Sequence, residues 1–126
     1  VSQWPESRAR KFRQAAFVYL HVIVLYEAAA YVMWRQDLLP VNWGPGWLWL
    51  IAGGLVGGAV FVGLLRWQNA WFASAIWLIH GLRLPSLIDG AFVASNSRPL
   101  APGFYAAGIV VVVINLWMLA RAAWDL

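Results

Sequence analysis

Five side chains in an otherwise apolar chain are placed to do chemistry: His21, Glu27, His80, Arg83 and Asn115. Ionisable and strongly polar groups inside hydrocarbon are costly unless they find partners, so they are the first functional suspects in such a chain. Their depths follow from the rise of an α-helix, about 1.5 Å per residue. His21 lies about 12 Å above Arg13, and His80 about 15 Å above Ala70. Glu27 and Arg83 lie about 21 Å and about 20 Å above the same two starting points, and Asn115 about 9 Å above Arg121. Two levels result: His21, His80 and Asn115 in one half of the membrane, Glu27 with Arg83 further across.

Each level suggests a chemistry. The planar guanidinium of Arg83 matches a carboxylate bidentately, so Glu27 and Arg83 are expected to form a buried polar pair. Such a pair serves either to specify the fold or to line a polar pocket or proton path. Two imidazoles at one depth on different helices are what axial ligation of a haem, or of a chlorophyll-type pigment, requires, with Asn115 beside them. The plainer alternative is that each imidazole hydrogen-bonds a neighbouring carbonyl or side chain. His80 and Arg83 share a helix face at i, i+3, so Arg83 is also available to a propionate or an anionic headgroup. Asp89 falls near the far interface, where a charge costs little.

Other chemistry lacks its residues. There is no phosphate-binding loop, no H-E-x-x-H and no nucleophile–base–acid spacing, so no catalytic residue is expected and the chain reads as a non-enzyme. Two histidines with scattered carboxylates do not build a metal site. The chain has no cysteine, which removes disulfides, thiolate chemistry and Cys-type zinc sites.

The elements that must position these residues are apolar helices. Of 126 residues, 63% are hydrophobic and 11% charged; a soluble domain carries roughly 25% charged residues. Lipid is the solvent this composition fits. Apolar runs cover residues 14–34, 47–65, 70–94 and 103–120, each close to the about 20 residues that cross a bilayer as helix. They lack the alternation of strands, and backbone groups in lipid must be satisfied within the segment. The expected fold is an all-α, integral-membrane four-helix bundle in a single domain. The first run is too long for the apolar region of a cleaved leader. Pro85 should bend the third helix by leaving the Gly81 carbonyl without its usual partner.

The basic residues sit at the ends of these runs rather than in a recognition patch, which argues against nucleic acid despite a net charge of +4. Arg8, Arg10, Lys11, Arg13, Arg66 and Arg121 fall on one side, Arg35 and Arg98 on the other. The positive-inside bias predicts cytoplasmic N- and C-termini in a multi-pass protein of a bacterial inner membrane. Trp34, Trp43, Trp47 and Trp49 then form one interfacial belt, and Trp67, Trp71 and Trp124 the other. In the second helix, Gly53/Gly57 and Gly54/Gly58 each make a small-xxx-small spacing that lets helices approach closely, within the bundle or against another subunit.

The helix order, the Arg66–Asn69 turn before a Trp-rich third helix, and the His80-Gly81…Pro85 break together resemble the small bacterial four-helix membrane proteins of the DoxX-like kind. The resemblance covers the whole chain as a layout. It implies an accessory role beside larger redox or membrane assemblies and assigns no functional residue. A glutamate in the first of four helices is also what the small multidrug transporters carry; the residues around Glu27 do not match that family, and Arg83 has no place in it. The expected function is a non-catalytic accessory subunit of a larger membrane complex, redox or photosynthetic, packing on partner helices, lipids or pigments. The alternatives are a haem- or pigment-binding electron-transfer module using His21 and His80, and a small oligomeric transporter or lipid-binding protein centred on Glu27 and Arg83.

Overall fold

The computed structural model describes residues 3–39, 42, 44–93 and 100–125. Every regular element among them is helical: α1 (Gln3–Arg35), α2 (Gly46–Trp67), α3 (Ala70–Gly81), α4 (Leu84–Ile88) with a π-helical turn after it (Asp89–Val93), and α5 (Pro102–Trp124). Four stretches are long and apolar enough to cross a membrane: Ser7–Arg35, Gly46–Trp67, Ala70–Val93 and Pro102–Trp124.

The helix ends follow local chemistry. The Asn69 side chain accepts from the backbone N–H groups of Trp71 (2.8 Å) and Phe72 (3.2 Å) and so starts α3. Just before it, Gln68 ends α2 with φ 47°, the left-handed conformation that closes many helices. Only Gln68 and Asn69 separate the two helices, so the polar turn expected over 66–69 is shorter, Arg66 and Trp67 being helical. Pro102 begins α5, where its missing N–H is harmless.

Two boundaries depart from expectation. α1 begins at Gln3, not near residue 14. Hydrophobicity marks where an apolar run begins, whereas a helix continues through polar residues that favour it. At 33 residues α1 is about 50 Å long, against a hydrocarbon core of about 30 Å. The third span is also not one helix. It breaks at Leu82–Arg83, where the Arg83 N–H bonds the His80 carbonyl at 3.1 Å in a tightened turn. The chain then restarts at Leu84, so Pro85 falls in the first turn of α4, where no N–H is needed.

α1 packs between α2 and α5, and α5 packs between α1 and the broken span. Antiparallel register along α1 and α2 is set by Trp34 against Gly46, Ile23 against Gly57 and Phe17 against Phe61. The main core sits at one end, where Phe12, Ala15, Ala16, Tyr19, Leu64, Ala73, Ile76 and Leu119 bury one another. The close of α5 meets the N-terminal third of α1 at that end: Lys11 Nζ reaches Asp125 Oδ1 at 2.5 Å, and Arg121 reaches Gln14 at 3.3 Å. Arg8 donates two hydrogen bonds to the Gln68 carbonyl and closes α2 from below. Trp43, Ala94 and Arg98, used above for a belt, a helix end and a charge count, lie outside the described residues.

Candidate functional site

The polar groups gather around a side chain that the sequence reading passed over, Tyr26. Phe12, Tyr19 and Tyr26 recur every seven residues on α1, so they line one stripe of it. That stripe faces the bundle interior, and Phe12 and Tyr19 are buried. The signal was therefore present in the spacing. It was obscured because an aromatic residue in a membrane helix reads as lipid-facing or interfacial.

His80, on the last turn of α3, meets both tyrosines. Its ring stands edge-on to Tyr19, with centroids 5.2 Å apart, and stacks on Tyr26 at 6.0 Å and 18°. Arg83, three residues on at the helix break, places its guanidinium carbon 4.9 Å from the centre of the Tyr26 ring. This is cation–π geometry, and it is stronger away from water. Asn115 comes from α5 and is fully buried. Gly81 facing Leu116 and Gly108 facing Leu87 and Leu25 fix the registers, which set Asn115 level with Tyr19 and His80.

Three members of this group have buried polar atoms without a hydrogen-bond partner: the Tyr26 hydroxyl, His80 Nδ1, and both ends of the Asn115 amide. Few buried polar groups are left so in a folded protein. Two of the three, Tyr26 and His80, stack on one another, with Arg83 over the Tyr26 ring.

The pairings expected from depth are not the ones made. The ion pair among the described residues is Lys11–Asp125, and Glu27 and Arg83 do not pair. Consecutive residues of a helix point about 100° apart. Tyr26 faces the interior and receives Arg83, so Glu27 is turned toward α2. There its Oε1 lies where a methyl at Gly53 would collide with it, and its Oε2 would be 3.9 Å from a methyl at Gly54. The two histidines are likewise separated. His21 is about 200° around α1 from Tyr19, is exposed, and bonds the Phe17 carbonyl at 2.9 Å through Nδ1. His80 is buried on the other side of α1. Azimuth about α1 separates the members of each pair, and no bis-histidine site is formed among the described residues.

The glycines of α2 divide between two roles. Gly53 and Gly57 face α1, receiving Glu27 and Ile23, whereas a methyl at Gly58 would meet nothing within 4 Å. Among the described residues no three His, Asp or Glu side chains come together to hold a metal ion.

No family model, curated protein or solved structure matches this chain. Function is therefore argued from the site itself: a cation, a phenol and an imidazole in ring contact, with a buried carboxamide on α5. Such a set has the hydrogen-bonding chemistry to orient a polar group. It contains no nucleophile activated by a neighbouring base.

Proposed function

We propose that this chain is a non-catalytic accessory subunit of a larger membrane assembly, held there by the outward face of α2. The observation that carries the reading is the open strip around Gly58. Ile51, Gly54, Leu55, Gly58 and Val62 follow one another at helical spacing, and all are exposed. Lipid gains little from small residues on a helix surface, whereas a second helix can approach them closely. The chain has short connections, and the four span-capable helices leave most of their apolar surface uncovered by one another. We place it in a bacterial inner membrane with both ends in the cytoplasm, in keeping with the basic residues at the end where the termini meet.

The test is purification in mild detergent at native expression, comparing the parent with Gly58→Leu. Gly58 is exposed and a Cβ there would meet nothing within 4 Å, so the added side chain starts on the open face of α2. A co-migrating membrane protein that is lost on Gly58→Leu supports the proposal. A parent that purifies alone, or a partner retained by the variant, refutes it.

A second reading, a lipid-binding protein, is favoured by a separate observation: the orphaned polar atoms of Tyr26 and of His80, which stacks on it, beside Arg83. It keeps Arg83 from the expected Glu27–Arg83 centre and replaces Glu27 with the Tyr26 cluster.

A further inference from the structure

We infer that Arg10 and Arg13, on the outward face of α1, seat the phosphate of an anionic phospholipid whose acyl chain lies along Phe17 and Val24. The inference rests on the membrane placement proposed above and is independent of the Tyr26 cluster.

The basic end of the bundle is not one undivided patch of charge. Arg8 is held by the Gln68 carbonyl and the Phe12 ring, Lys11 by Asp125, and Arg121 by Gln14. Arg10 and Arg13 are exposed, and neither makes a hydrogen bond or ion pair with another described residue. They are three positions apart, so their side chains leave α1 on neighbouring turns of one face. Like charges at that spacing repel, and an anion between them relieves the repulsion. The planar fork of a guanidinium matches phosphate oxygens bidentately.

Their level along the bundle fits a headgroup. The Arg8–Gln68 and Lys11–Asp125 contacts bring this part of α1 beside the ends of α2 and α5. Trp67 and Trp124 precede those two partners, and with Trp71 they expose 67%, 48% and 85% of their surface. Exposed indoles are at home among headgroups. Arg13 is also the last charge before the apolar run of α1.

The same face then continues as a bed for an acyl chain. Arg10, Phe17, Val24 and Tyr31 recur every seven residues and all are exposed. Arg10 is about 200° around α1 from Phe12, so this face is turned away from the buried Phe12–Tyr19 stripe. Phe17 and Val24 extend it by about 10 Å along the axis beyond the arginines. A phosphate joined to an acyl chain uses the whole face, whereas a soluble phosphate uses only its charged end.

The experiment places the full chain in nanodiscs of equal parts phosphatidylglycerol and phosphatidylcholine. Lipids retained after release are counted by native mass spectrometry, and far-UV circular dichroism checks that each variant is folded. Two free arginines at the headgroup level should favour phosphatidylglycerol by about tenfold or more. Arg10→Gln and Arg13→Gln should each lower that preference about fivefold. Lys11→Gln removes the same charge from a side chain already engaged, and should change the preference by less than about twofold. Glycerol 3-phosphate, which carries the phosphate without acyl chains, should not displace the retained lipid.

Equal retention of the two lipids by the parent overturns the inference, and this outcome does not depend on any variant folding. An equal fall in all three variants shows a diffuse field of charge and refutes the seat. Displacement by glycerol 3-phosphate assigns the arginines to a soluble phosphate and refutes the lipid. A parent that does not enter nanodiscs overturns the membrane placement itself, a result distinct from loss of lipid preference.

Discussion

Gly57 and Gly58 are adjacent on α2 and differ in what lies beside them, so alanine at each measures how tightly α1 and α2 are packed. A methyl at Gly57 would sit 2.8 Å from Ile23 Cγ1, 2.9 Å from Cδ1 and 3.0 Å from Cγ2; one at Gly58 would meet nothing within 4 Å. Carbon atoms rest at about 3.5–4.0 Å, so at position 57 three atoms must retreat together. Ile23 is β-branched and has one strongly preferred rotamer in a helix, so it does not swing aside cheaply. Overpacking of this kind costs about 1–3 kcal/mol. The gain of alanine over glycine in helix propensity, about 1 kcal/mol, applies equally to both positions and cancels in the difference. Gly57→Ala should therefore be less stable than Gly58→Ala by about 1–3 kcal/mol. The assay is reversible unfolding in mixed micelles, followed by far-UV circular dichroism as the mole fraction of dodecyl sulfate rises. Combining Gly57→Ala with Ile23→Ala should recover part of the loss, because the two sites share one contact. If both single variants unfold at the same detergent fraction, the close approach of α1 and α2 at this level is wrong.

Asn69→Ala removes the acceptor for the first N–H groups of α3 and should lower stability by about 1 kcal/mol in the same titration; no change would mean that water replaces the cap. Lys11→Met breaks the pair with Asp125, whose side chain is 45% exposed, so the loss should be no more than about 1 kcal/mol and should shrink as salt is added. A larger, salt-independent loss would show that packing of the lysine stem matters more than its charge. The chain has no cysteine, so single cysteines report topology without background. Arg66→Cys and Asn42→Cys should react with an impermeant maleimide from opposite sides of the membrane, Arg66→Cys from the cytoplasm. Labelling of both from one side would remove the spanning arrangement.

Much of this protein is legible along the chain. Apolar length and the absence of alternation define four helices long and apolar enough to cross a membrane, where every backbone group must be satisfied within its own segment. Helix rise converts residue number into distance along each helix, so the spacing of polar groups within one helix is set by counting. Rotation about the helix axis is not. Each residue turns the chain by about 100°, so which of Tyr26 and Glu27 faces the interior depends on how α1 settles between α2 and α5. That packing turned Glu27 onto Gly53, put Tyr26 under Arg83 and separated His21 from His80. It also decided that Gly57 is filled by Ile23 while Gly58 stays open. The break before Pro85 shows the same division. A proline announces that the third span cannot be one straight helix, but only the contact of α4 and its π-helical turn with α5 determines where the chain bends. Composition and spacing dictate what must be buried and how deep; the neighbours that complete each buried group are chosen by helices in contact, a choice that one-dimensional periodicity does not encode.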